Sequence, residues 1–346
     1  MKRIALFSSD AAALYKKDIF RIMGLQEGFV IHFRYGVEHF SVPLADFKKK
    51  IGTDVTIFFA HGNKLNTPIA QRTITNVPLR EAQIIAIDEK TDTGLIHVYL
   101  KLKGFVNCNF TFVNTNDQPP QKWVLEIDVT NTPSTSWHDR LTAIKSEFVN
   151  QLFYKLELFD DQHKKKEEPV YSAKQFSSYY QLEDESQYLL DIAFFDTSPT
   201  ASENSQKLSI STEDKDALKI NAPRLFDVGA RRDNRTYSLF TQAIASKEGY
   251  SYLNFESLNT DPSAATSGPL PNDIQLPFEI SKNKRRSFYF ALYTVLAAIS
   301  VGYSKLVTDK SDIKGTFDLE LLCHTLFALA IGLFAFYNLY RLFNKK

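Results

Sequence analysis

Four arginines and a tyrosine gather in PRLFDVGARRDNRTY: Arg224, then Arg231, Arg232 and Arg235, with Tyr237 closing the run. A guanidinium offers paired, planar donors to a phosphate, and an adjacent aromatic ring can stack on a base. The group reads either as a site for a nucleotide or other acidic ligand, or as the ordinary charges of a solvated hairpin loop. Catalytic motifs are missing. There is no GxSxG elbow, no GxxxxGK[ST] loop, no HExxH and no CxxC, so no catalytic residue, metal or cofactor is assigned. His61-Gly62-Asn63-Lys64 follows an apolar run and reads as a turn after a strand rather than as a functional histidine. His32, His39, His61, His97, His138, His163 and His324 show no metal-ligand spacing. Lys164, Lys165 and Lys166 run straight into Glu167 and Glu168, as a solvated linker does.

The elements that must carry these residues are mostly strands. The chain has 346 residues, 44% of them apolar and 13% aromatic, with 41 Lys and Arg against 40 Asp and Glu. That balance excludes a disordered chain and a globally basic nucleic-acid binder; two cysteines exclude a disulfide scaffold. Short β-branched and aromatic runs at residues 28–35, 54–60, 84–88, 95–101, 105–113 and 123–129 predict strands, with DEKTDTG as a hairpin loop. Residues 10–25 and 137–154 predict helices. In the second, Leu141, Ile144, Phe148 and Leu152 recur at helical spacing after a capping Ser136. The fold class expected is mainly β (α+β), in two sandwich- or barrel-like units, followed by a C-terminal two-helix transmembrane hairpin. The first unit spans 1–158, a charged connector 159–169, and a second β-rich unit 170–258. A linker and basic collar occupy 259–286.

Residues 287–304 contain no charge, nor do residues 321–340. About 17–25 predominantly apolar residues cross a bilayer, so two spans are expected, at 287–304 and 319–343, joined by an external loop over 305–318. Lys282, Lys284, Arg285 and Arg286 precede them and Arg341, Lys345 and Lys346 follow, whereas the loop holds Lys305, Lys310 and Lys314 among acids. By the distribution of basic residues both termini are cytoplasmic, and the collar meets lipid headgroups. The first 17 residues lack the apolar stretch of a signal peptide. The expected location is a bacterial inner membrane, spanned twice.

Small and polar residues trace lines along both helices: Thr294 and Ala298 with Gly302 in the first, and His324, Ala328, Ile331, Ala335 and Asn338 with Gly332 in the second. Such seams allow close helix approach. They either pack a two-helix anchor or, in an oligomer, line a pore.

A cytoplasmic β-rich region, the SKNKRR collar at 281–286 and paired C-terminal helices resemble the membrane effectors of bacterial anti-phage defence, the Hailong-like effectors in particular. The resemblance lies in architecture, and no residue's role is carried over from it. It implies a homo-oligomeric channel or pore, a tetramer being the expected number of copies. A nucleotide or short single-stranded nucleic acid, made by a signal-synthesising partner enzyme, would control it. The competing reading is a membrane-tethered scaffold that binds a protein through its β domains.

Overall fold

The opening run KRIALFSS forms β1 (Lys2–Ser9), buried along six of its eight positions. It lies well inside a sheet, between a parallel and an antiparallel neighbour. The structure is a computed structural model and describes residues 1–10, 13–62, 74–90, 92–114, 116, 119–148, 150–175, 177–198, 206–228, 232–244, 248–258, 272–314 and 319–344. The seven-stranded sheet runs, in spatial order, β2 (Val30–Gly36), β5 (Leu95–Phe105), β4 (Thr75–Lys90), β3 (Asp54–His61), β1, β7 (Val124–Asn131) and β6 (Asn109–Phe112). Helix α1 (Ala13–Gly24) follows β1, α2 (Leu44–Lys48) precedes β3, and α3 (Trp137–Ile144) follows β7.

Two further sheets use the rest of the strands. One orders β13 (Leu218–Ile220), β15 (Arg232–Thr241), β11 (Gln187–Asp196) and β8 (Leu152–Asp160). The other orders β14 (Leu225–Val228), β12 (Gln206–Thr212), β16 (Glu248–Leu258), β17 (Asp273–Ser281), β10 (Ser177–Glu183) and β9 (Val170–Ser172). The expected β richness is present, but not the division into two units. Met1–Ile280 forms one compact body, because a single apolar cluster runs from Ile4 and Phe20 through Leu156 and Leu190 to Phe278.

The supposed connector is one reason. Residues 160–167 fold back on β8, with Asp160 N–H donating to Lys165 O and Glu167 N–H to Leu158 O, both at 2.8 Å. Gln26, buried after α1, accepts from Leu158 N–H and from the Tyr180 hydroxyl, each at 2.9 Å, and donates to the Glu167 carbonyl. One side chain thereby ties α1's exit to β8, β10 and the turn between them.

The predicted helix over 137–154 ends early. α3 stops at Ile144, and Asn150 takes a φ of 57° before β8 begins. Leu141, Ile144, Phe148 and Leu152 are nonetheless all buried in the main cluster. Their spacing reported burial, not conformation.

Ser281–Lys346 forms a second unit, comprising α4 (Lys284–Lys314) and α5 (Leu319–Asn344). Among the described residues no helix is long and apolar enough to cross a membrane. The two expected spans, the external loop between them, the inner-membrane location and the cytoplasmic placement of both termini therefore do not hold. Absence of charge overstated apolarity. The stretch 287–304 includes three tyrosines, three serines, Thr294 and Gly302, and α4 continues through Lys305, Asp309, Lys310, Asp312 and Lys314. In α5, Cys323, His324, Thr325, Gly332, Tyr337 and Asn338 interrupt the leucines and phenylalanines.

The hairpin packs through one face of α5. Ala328, Gly332 and Ala335 are buried and Ile331 and Asn338 half-buried, while the side chain of His324 lies outside the described residues. A Cβ on Gly332 would sit 2.8 Å from Ser300 Oγ, and that hydroxyl donates to Ala328 O at 2.5 Å. In α4 the packing line is Leu296, Ala297, Ser300 and Tyr303; Thr294, Ala298 and Gly302 are exposed. The headgroup role expected of Lys282, Lys284, Arg285 and Arg286 loses its basis with the spans. Lys282 is exposed, and the other three side chains lie outside the described residues, as do the linker over 259–271 and the loop over 315–318.

Two half-buried ionisable groups near the edge strand β2 give the first body opposed pH responses. Burial raises Asp18 of α1 from 3.8 to about 6, against the pull of Arg21 and Arg34. Burial, then the charges of Arg21, His97 and Arg34, lower His32 of β2 from 6.5 to about 4. Between about pH 4 and 6 folding takes up a proton at Asp18, so its contribution falls as pH rises, by at most about 3 kcal/mol. Folding expels a proton from His32 over about pH 4 to 6.5, so its contribution rises there. Urea denaturation of Asp18→Asn against the parent should show a stability difference in the variant's favour that grows from pH 4 to pH 7. A difference independent of pH would contradict the assignment.

Candidate functional site

Alternation along β15 splits the arginine run. Thr236 pairs with Asp191 across the ladder, and its hydroxyl donates to Asp191 Oδ1 at 2.7 Å. Arg232 and Asn234 share that face. Arg235 and Tyr237 point to the other, where the Arg235 guanidinium holds Asp233 Oδ2 at 2.8 Å, donates to Asp227 O at 3.1 Å and lies 5.8 Å from the Phe194 ring. Arg224 is exposed before β14, and Arg231 lies outside the described residues. The four of these residues that are described thus do not converge: Arg235 is among the residues that line the feature described next, and Arg232 lies beyond that lining on the same sheet face as Asn234.

That feature is a cleft of about 510 Å³ inside the first body. Its floor is the polar face of the four-stranded sheet, and the register lays it out in rows. Phe195 stands opposite Arg232; Ala193 lies between Lys155 and Asn234; Asp191 lies between Glu157 and Thr236. Its wall is the turn after α1 (Leu25, Gln26, Glu27), Arg80 and Phe105, and the start of α3. A capping box fixes that start: Ser136 Oγ accepts from Asp139 N–H at 3.1 Å, and the Asp139 carboxylate accepts from Ser136 N–H. It holds Trp137 and His138 at the first helical turn, where their rings lie 5.0 Å apart. Phe195 completes the group, 6.5 Å from Trp137 and 6.1 Å from His138, and Arg232 lies over the Phe195 ring at 5.6 Å.

Charge is arranged along the same rows. Burial, then Arg232 and Lys155, lower the His138 pKa, so His138 is neutral at pH 7. Lys155 Nζ holds Glu157 Oε2 at 2.9 Å, and Lys166 holds the other carboxylate oxygen. Burial works to raise Glu157, but these two cations outweigh it and leave the carboxyl below the usual range. Asp191 Oδ2 meets His163 Nε2 at 2.7 Å. Among the described residues Arg232 and Glu27 have no ion-pair partner. No group of three His, Cys, Asp or Glu among them is placed to hold a metal.

His61 does not enter the cleft. Its Nδ1 lies 3.1 Å from Glu147 Oε1, and Gly62, at φ +87°, donates its N–H to Asp10 Oδ2 at 3.0 Å. A turn after β3 is what the sequence predicts there, and the left-handed glycine supplies it. Asn63 and Lys64 lie outside the described residues. Sequence reasoning missed Trp137, His138, Lys155, Glu157 and Glu27. The legible signal was the Ser136 cap, which marks the residues a helix start presents.

The fold and this cleft define a mainly β body with a ring-lined, mixed-charge cleft between two of its sheets. No family model and no curated protein matches the chain. Solved structures give distant neighbours. One is WR4, a C. elegans MSP family member, at 8% identity and a TM-score of 0.20, covering 30% of this chain and 92% of that one. Another is the Vibrio cholerae VesB protease, at 6% identity and 0.18, covering 74% and 96%. Scores this low carry no argument about fold or activity.

Proposed function

We propose that the β-rich body is a ligand-reading module that binds a nucleotide or a short single-stranded oligonucleotide in this cleft. The observation that carries the reading is that Lys155, His138 and Trp137 line the cleft, with the Phe195 ring packed against His138 and Arg232 over that ring at the cleft's edge. A cation without a carboxylate partner, Arg232, suits a phosphate, and the half-buried His138 ring, backed by the buried Trp137 and Phe195, suits a base. The volume lies within the range of small-ligand sites. The pore in the expected function has no support without helices that cross a membrane, and it is not part of this proposal. Calorimetric titration of the intact chain with CMP and with a short oligodeoxycytidylate tests the reading. Saturable binding supports it; absence of binding by both probes overturns it.

A further inference from the structure

The hairpin of α4 and α5 leaves most of its large apolar side chains in solvent. The two helices meet around Ser300 and Gly332, and that contact covers small residues. On α4, Phe288, Leu292, Val295 and Ile299 recur at spacings of four, three and four, and all are exposed. On α5, Leu329, Leu333, Phe336 and Tyr340 repeat the pattern, again exposed. Stripes of this kind are what one helix presents to another. Among the described residues the hairpin shows eight exposed rings, each between 45% and 67% accessible. At about 200 Å² a ring they amount to roughly 900 Å². A monomer keeps its apolar patches to a few hundred Å², whereas each partner in a stable complex buries ~800 Å².

Charge identifies what covers these stripes. Seven Lys and Arg, at 282–286 and 341–346, flank the open end of the hairpin, and no acid occurs among residues 281–304 or 321–346. The closed end, 305–320, holds three lysines against Asp309, Asp312, Asp318 and Glu320. Two copies lying in parallel would set seven cations against seven. Lying head to tail, each basic end meets the acidic surplus of the other. We infer that α4 and α5 of two copies of this chain associate head to tail through the exposed stripes, as a four-helix bundle with a two-fold axis. The inference is independent of the cleft and its ligand.

Sedimentation equilibrium of the intact chain in detergent-free buffer should give twice the 39.5 kDa of one chain. Leu333→Glu should weaken self-association about tenfold, burial of a leucine being worth that factor or more, and Val295→Glu should do the same from the other stripe. Both side chains are exposed, so the hairpin keeps its helicity, which circular dichroism checks. The exposed Cys323, near the closed end, takes a spin label that the buried Cys108 does not. At the helical rise, head-to-tail copies hold the two labels roughly 25 Å apart or more, and parallel copies within about 15 Å. A single-chain mass, an association unchanged by both substitutions, or labels at the shorter distance overturns the inference. A chain that is monomeric in buffer and gathers only on anionic vesicles also overturns it, because lipid and not a second copy would then cover the stripes.

Discussion

Replacing Arg80 by methionine should cost the first body about 3–5 kcal/mol of unfolding free energy, the largest effect of any single substitution considered for this chain. Arg80 is 1% exposed. Its Nη1 donates to Ile22 O and Leu25 O at 2.7 Å and its Nε to Lys103 O at 2.5 Å, and its guanidinium lies 4.6 Å from the Phe105 ring. The first two carbonyls belong to the last turn of α1 and its exit, the negative end of the helix dipole, so a buried cation there is stabilised without a contacting carboxylate. Burial lowers its pKa to about 10, against the opposing pull of Glu27 and Glu157, which leaves it charged at neutral pH. Methionine fills much of the volume and leaves three buried acceptors unpaired. Urea denaturation measures the loss. A loss under about 1 kcal/mol would mean that water reaches those carbonyls and that the guanidinium is not their principal partner.

The second large effect is on binding. Lys155→Met combined with Arg232→Gln should weaken CMP about 100-fold or more, since each cation supplies a charge-assisted hydrogen bond to phosphate. The pair is chosen so that the fold survives. Glu157 keeps Lys166 when Lys155 is removed, and Arg232 is exposed, lying over the Phe195 ring. With an oligodeoxycytidylate the slope of log affinity against log salt should shallow by about 0.7 for each phosphate that is no longer neutralised. Unchanged affinity and slope in a folded double variant would remove this end of the cleft from phosphate recognition.

Local features were legible in the sequence. The strands at β2, β3, β5 and β7 follow from β-branched and aromatic runs, and Ser136 was readable as a cap because a capping box lies within four residues. What pairs at long range was not. β1 lies parallel to β3 with Ile4 opposite Val55, a crossover that neither run announces alone. The division at 158 failed because a charged turn looks like a linker whether it is extended or, as here, folded back on β8 through Glu167 and Leu158. The arginine run failed as a site for a reason already present in its spacing. Arg232 and Arg235 are an odd number of residues apart on one strand, and period two sends them to opposite faces. The cleft residues come from α3, β8 and the turn after α1, which only the packing of two sheets brings together. The C-terminal stretches misled because a count of uncharged residues ignores how much tyrosine, serine and glycine they contain.

Two tryptophans, Trp123 and Trp137, occur in the chain, and of these Trp137 lines the cleft. Fluorine NMR of the intact protein labelled with 5-fluorotryptophan, its two resonances assigned with Trp123→Phe, therefore reports on the cleft at a single position. Titration with CMP should move the Trp137 resonance saturably and leave that of Trp123 in place. Binding seen by calorimetry with the Trp137 resonance unmoved, or with Trp123 moving instead, would contradict the placement of the ligand in this cleft.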